Sequence, residues 1–84
     1  ELMQNYPNPF NPVTTIKFGL TEKSNVSLTI YNILGEKVTE LINGELEAGY
    51  HKFEWNAINV ATGIYLYELK TPKNSMVKKM VLIK

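Results

Sequence analysis

Hydrophobic and polar positions alternate along most of this chain, and no stretch holds the three-to-four-residue period of an amphipathic helix of useful length. Between Val13 and Leu20, the residues Thr14, Ile16, Phe18 and Leu20 share one face, and Val13, Thr15, Lys17 and Gly19 share the other. That pattern predicts a strand with Ile16, Phe18 and Leu20 in a core and Lys17 in water. Val26 to Tyr31 repeats it, with Val26, Leu28 and Ile30 inward and Ser27, Thr29 and Tyr31 outward. Tyr50 to Trp55 places His51, Phe53 and Trp55 on one face and Tyr50, Lys52 and Glu54 on the other. Met76 to Lys84 ends with Met80 and Leu82 opposed to Val81 and Ile83, so both of its faces are apolar there. The pair Lys78-Lys79 interrupts the alternation and predicts a bulge. Val38 to Ile42 is less regular, because Val38, Leu41 and Ile42 cannot share one face; a bulged strand or a single helical turn satisfies it.

Turn-forming residues separate these segments: Thr21 to Asn25, Asn32 to Lys37, Asn56 to Thr62 and Thr71 to Ser75. Leu34-Gly35-Glu36 supplies a glycine for a positive φ. Asn43-Gly44 is a strong turn signal, leaving Glu45-Leu46-Glu47 as a doubtful short edge strand. Ala61 to Leu69 is the stretch around which the others organise. Ile64 and Leu66 point one way and Tyr65, Tyr67 and Leu69 the other, so both faces are apolar and the strand belongs inside a sheet. Gly63 gives the backbone freedom where the preceding turn feeds this strand. Tyr65, two residues later, reads either as an ordinary core tyrosine or as the tyrosine corner of an immunoglobulin-like sandwich, whose hydroxyl bonds to upstream backbone. Six strands and the doubtful seventh, at spacings of about 8–14 residues, predict an all-β, immunoglobulin-like sandwich of about seven antiparallel strands.

The first twelve residues stand apart. Pro7, Pro9 and Pro12 exclude both helix and central strand from residues 1–12. They predict a stiff, proline-rich lead-in segment packed across an open end of the sandwich, with Tyr6 and Phe10 as its anchors; the alternative is a ligand for a proline-binding partner. The domain proper then covers residues 13–84.

Composition narrows the chemistry. With 84 residues the chain is one domain. Nine lysines against eight glutamates leave a net charge of +1, without the clustered arginine and lysine of a nucleic-acid surface. Cysteine is absent, which removes disulfides, thiolate nucleophiles and cysteine-ligated metals. His51 is the single histidine, and Ser24, Ser27 and Ser75 lie in no nucleophile-elbow pattern. Aspartate is absent, so no dedicated calcium loop is expected, and Glu45 and Glu47 read as a solvated loop. No phosphate-binding glycine loop occurs and no apolar run reaches membrane-spanning length. The expectation is a domain without catalysis, metal or cofactor. Its N-terminus lacks a charged stretch followed by an apolar run, so no signal peptide is read there, and the abrupt start at Glu1-Leu2 reads as a piece of a longer protein. Two binding surfaces remain. Tyr31, Tyr50, Tyr65 and Tyr67 form a sugar-binding strip or else cover the far side of a sheet. The C-terminal strand, if at an edge, offers backbone groups to a partner strand or is guarded by Lys73, Lys78, Lys79 and Lys84.

Residues 5–12 (Asn-Tyr-Pro-Asn-Pro-Phe-Asn-Pro), followed by Thr15-Ile16-Lys17-Phe18, resemble the start of the C-terminal sorting domain of type IX secretion substrates. Val26 to Glu36 looks like that family's second strand and turn. Ala48-Gly49-Tyr50-His51 and Trp55-Asn56 fit its middle, Gly63-Ile64-Tyr65 its glycine-x-tyrosine motif, and Lys78 to Lys84 its lysine-led apolar terminal strand. Similar sequence occurs in the immunoglobulin-like domain of flagellar hook-capping proteins.

The resemblance implies a non-catalytic tag on an exported cargo protein of a Gram-negative bacterium. The parent passes through the periplasm, and the folded domain directs it across the outer membrane to the cell surface or the medium. Its partners would be the type IX translocon, a sortase-like cysteine protease and the cargo domain upstream. Carried over residue by residue, Gly63, Tyr65, Lys78, Lys79, Met80, Val81, Leu82, Ile83 and Lys84 would meet the translocon. Pro7, Asn8 and Pro9 would mark where the chain enters the domain, near the cleavage point of the parent. The rival functions are an accessory carbohydrate-binding module of an extracellular enzyme and a self-assembling structural domain.

Overall fold

Six strands, all antiparallel to their neighbours, form two sheets in the computed structural model, which describes residues 1–84. The strands are β1 (Val13–Leu20), β2 (Ser24–Asn32), β3 (Lys37–Leu46), β4 (Gly49–Asn56), β5 (Gly63–Lys70) and β6 (Ser75–Leu82). One sheet pairs β1 with β4; the other runs β3-β2-β5-β6. The all-β sandwich read from the alternation is therefore the fold, with six strands in place of about seven. No helix is present, so none is long and apolar enough to cross a membrane.

The missing strand has a physical explanation. Asn43-Gly44 makes no turn: β3 runs through it, with Asn43 opposite Ser27 and Gly44 opposite Val26. Gly44 keeps an ordinary negative φ, unlike Gly35 at +84° and Gly49 at +118°. The doubtful edge strand thus joins the segment before it as one ten-residue strand. Continuous pairing with β2 outweighs the local turn preference. The irregularity of Val38 to Ile42 is bulging, with register shifts opposite Leu28/Thr29 and Ile30/Tyr31. Gly35 does take the left-handed turn, and Asn32 fastens it by accepting from Leu34 and Glu36 N–H through Oδ1, both at 3.0 Å.

The core lies between the sheets. Ile16 and Phe18 enter from β1, Val26, Leu28 and Ile30 from β2, Trp55 from β4, Tyr65, Tyr67 and Leu69 from β5, and Met80 and Leu82 from β6. Trp55 bridges the sheets, its ring edge-on to Tyr65 at 5.6 Å and tilted against Phe10 at 5.8 Å. Each such side chain contributes roughly 1.5–3 kcal/mol by leaving water. β5 sits between β2 and β6, as a strand apolar on both faces requires. Thr29, expected outward, is buried on the outer side of β2, where β3 and β5 flank it.

The lead-in segment is part of this core. Of its two expected anchors, Phe10 is 2% exposed, but Tyr6 is 81% exposed. Leu2 and Asn5 are the buried residues in the first half. Tyr6 is held by its backbone instead, exchanging N–H and carbonyl bonds with Thr15 at 3.0 and 2.9 Å. That pairing lays residues 2–6 along the free edge of β1 and turns the tyrosine side chain out.

Candidate recognition site

The terminal strand β6 forms one edge of the four-stranded sheet and pairs with β5 from Gly63↔Leu82 to Lys70↔Ser75 without a register shift. The bulge expected at Lys78-Lys79 is absent. The strand simply continues, so these adjacent lysines point to opposite faces. Lys78 lies in register with Tyr67 on the inward side, where it is half-buried; Lys79 lies opposite Leu66 and is exposed. A lysine fits on the inward side of an edge strand because its aliphatic stem packs while the ammonium reaches water. Met80 and Leu82 are fully buried, Val81 is half-buried, and Ile83 and Lys84 are exposed.

The free backbone edge of β6 is occupied toward its C-terminal end. Phe10 N–H donates to the Val81 carbonyl and Ile83 N–H donates to the Phe10 carbonyl, both at 3.0 Å. Val81 N–H donates to Asn8 Oδ1 at 2.9 Å, and Gln4 Nε2 donates to the Lys79 carbonyl at 2.9 Å. The lead-in segment thus runs beside β1 and then beside β6, closing the seam between the sheets. Pro7, Asn8 and Pro9 sit on the exposed bend of this path. Lys84 folds back, with N–H donating to Thr62 Oγ1 at 3.2 Å and Nζ to the Ile58 carbonyl at 2.7 Å.

Two tyrosines of β5 hold the arrangement. The Tyr65 hydroxyl donates to the Ala61 carbonyl at 2.5 Å, four residues upstream across the turn that contains Gly63. This is the back-bond of a tyrosine corner, and of the two readings of Tyr65 it is the one realised. Gly63 is nearly extended, at φ +159°, with open space where a Cβ would stand. The Tyr67 hydroxyl donates to the Met3 carbonyl at 2.7 Å and accepts from Asn5 N–H at 2.9 Å. Burial pushes its phenol pKa up, and the bond from Asn5 opposes this in part. Asn5 Nδ2 donates to Thr14 Oγ1 at 2.9 Å, and Thr14 Oγ1 donates to the Pro7 carbonyl at 2.9 Å. This network was not foreseen. The signal for it was Thr14 sharing a face with Ile16 and Phe18, since a polar group on a core face requires a partner.

The other candidate sites disperse. Tyr65 and Tyr67 are buried between the sheets, while Tyr50 is exposed on β4 and Tyr31 is half-buried on the outer side of β2. The four tyrosines make no common strip. Tyr31 donates to Glu68 Oε1 at 3.3 Å; burial first, and then the Glu68 charge, raise its pKa. His51 occupies the rim beside Phe18, its Nε2 at 2.8 Å from the Glu47 carbonyl. Glu45 and Glu47 both face Lys23 in solvent, at 3.5 and 3.7 Å. A depression of about 360 Å³ lies at the opposite end of the sandwich from Leu82, among the polar turns that contain Lys23 and Lys73.

Comparison with known proteins agrees with this architecture. The chain is similar in fold to PorZ, an essential bacterial surface component of the type IX secretion system of Porphyromonas gingivalis, with a TM-score of 0.68 and 24% identity. The likeness covers 96% of this chain and 11% of PorZ, so the chain spans about a tenth of that protein's length. No curated protein matches the sequence. The secretion system C-terminal sorting domain family matches residues 4–84, from the lead-in segment through the terminal strand to Lys84. The chain belongs to the secretion system C-terminal sorting domain family, as the residues quoted for that resemblance anticipated.

Proposed function

We propose that this domain is the signal by which a cargo joined upstream of Glu1 is taken across the outer membrane by a type IX secretion system. The observation that carries this reading is the family match over residues 4–84, which includes the lead-in segment and the terminal strand together. In this reading the cargo reaches the periplasm by its own leader, the translocon recognises the folded sandwich, and a sortase-like cysteine protease separates cargo from domain at the surface. The domain itself performs no chemistry.

The residues proposed for recognition fall into two sets. Gly63 and Tyr65 build the turn that positions β5, and Lys78 to Lys84 form the strand that a translocon reads. Pro7, Asn8 and Pro9 lie where the lead-in segment bends from β1 toward β6. A protease cutting between Asn5 and Phe10 would work against two buried anchors, so the proposed cut lies upstream of Leu2.

Competition tests the proposal. The free domain, sent to the periplasm in excess in a bacterium with an active type IX system, is expected to saturate the translocon. The host's own substrates then accumulate in the periplasm, in proportion to the amount of folded domain. Undiminished export of those substrates beside abundant folded domain would overturn the proposal.

A further inference from the structure

We infer that a partner protein reads this domain through the outer face of β5 and β6, a band of aliphatic side chains centred on Lys79, and that the partner presents an apolar surface with a carboxylate opposite that lysine. The inference rests on the sorting role proposed above and narrows it to one face and one charge.

Elimination selects the face. In the folded domain, Met80 and Leu82 are buried and Lys78 is half-buried on the inward side. The backbone of β6 from Lys79 to Ile83 bonds to β5 on one side and to Gln4, Asn8 and Phe10 on the other. A partner strand therefore cannot add there while the lead-in segment is in place. Lys84 is turned back onto the loop before β5. Apart from the short open backbone edge at Ser75 and Val77, what the terminal strand offers a partner is the outward side chains of Val77, Lys79, Val81 and Ile83.

Those side chains continue onto β5. The register sets Val81 opposite Ile64 and Lys79 opposite Leu66. Val77, Ile83 and Ile64 are 53%, 49% and 38% exposed. Separately, an exposed valine or isoleucine is unremarkable; adjacent on one sheet face they form a patch of the kind that marks interaction sites. The charge indicates what covers it. Four ion pairs form in this domain, Lys23 with Glu45 and Glu47, Lys37 with Glu40 and Lys73 with Glu22; of the six lysines outside them, Lys79 is the one set among the aliphatic side chains of this band, while Lys70 lies at the far end of the same face, opposite Ser75. Glu68, the carboxylate on that face of β5, is engaged by the Tyr31 hydroxyl. An unpaired ammonium ringed by aliphatic groups gains most from a carboxylate that reaches it as water leaves.

The test is export of a reporter carrying the full domain in a type IX host, with each variant purified alongside for a thermal melt. Lys79→Glu reverses the charge at an exposed site and is expected to lower export about tenfold or more with an unchanged melt. Lys17→Glu makes the same change in charge on the outer face of the other sheet, opposite Lys52, and is expected to export like the parent. Val77→Thr, which keeps a β-branched side chain, is expected to lower export in the same direction without unfolding. Equal export by Lys79→Glu and Lys17→Glu while the parent is exported would overturn the inference and leave the sorting role standing. Failure of the parent itself would instead overturn the sorting role. Sedimentation of the purified parent closes the remaining route: a monomer is expected, and a dimer that Lys79→Glu dissolves would show that a second copy covers this face and overturn the inference.

Discussion

Tyr67 joins the sheet to the lead-in segment through a single oxygen, which both donates to Met3 and accepts from Asn5. Replacing it with phenylalanine keeps the ring packed and strands a buried N–H and a carbonyl. Tyr67→Phe is expected to cost about 1–3 kcal/mol in urea denaturation. The same hydroxyl sets an alkaline limit. Because burial raises its pKa above the ordinary value near 10, the folded state holds this proton more tightly than the unfolded chain. Its contribution is complete below pH of about 10 and is lost as pH rises through the folded value. Tyr31, raised by burial and by Glu68, adds to the same loss. Denaturation midpoints measured from neutral to strongly alkaline pH should therefore fall less steeply for Tyr67→Phe than for the parent. An equal slope would remove Tyr67 from that account. Tyr65→Phe, which lacks the back-bond to Ala61, is expected to lose about 0.5–1.5 kcal/mol.

At the scale of elements, β6 and the lead-in segment depend on each other. Phe10 is buried beside β6, and its backbone pairs with Val81 and Ile83. Deleting Met80 to Lys84 removes two fully buried side chains and uncovers Phe10. At roughly 1.5–3 kcal/mol per large side chain this takes most of the stability of a small domain, and the truncated chain is expected to lose its cooperative melt. Lys78→Ala with Lys79→Ala is expected to stay within about 0.5 kcal/mol of the parent, which separates recognition from folding. Deleting residues 1–12 should lower stability and also free the edges of β1 and β6, producing concentration-dependent association on size-exclusion chromatography. Much of this was legible in the alternation of β1, β2 and β5, where burial on one face fixes which residues turn inward. Asn43-Gly44 misled because a turn preference is local, whereas β2 continues opposite it and keeps β3 extended. Tyr6 and Phe10 look equivalent in sequence. They differ because Tyr6 pairs by its backbone with β1, while Phe10 falls where the segment crosses between the sheets. Lys78-Lys79 breaks the alternation of apolar residues without breaking the strand: with no bulge, the two lysines go to opposite faces.

For the whole molecule, the seam between the sheets is closed by the N-terminal lead-in segment, and the strand proposed for recognition lies against that segment. The N-terminal segment and the terminal strand are thus coupled through one packed core. A partner that reads the terminal strand reads a folded domain, because Met80 and Leu82 hold their positions only with the core assembled. Removing this domain, or unfolding it, should therefore have the same consequence for the cargo. The most direct measurement is delivery of a reporter fused upstream of Glu1, assayed in periplasm, cell surface and medium of a host with and without a working type IX system. The account predicts surface or medium delivery that requires both the domain and the system. A reporter that stays in the periplasm with its domain folded, in a host that exports its own substrates, would contradict it.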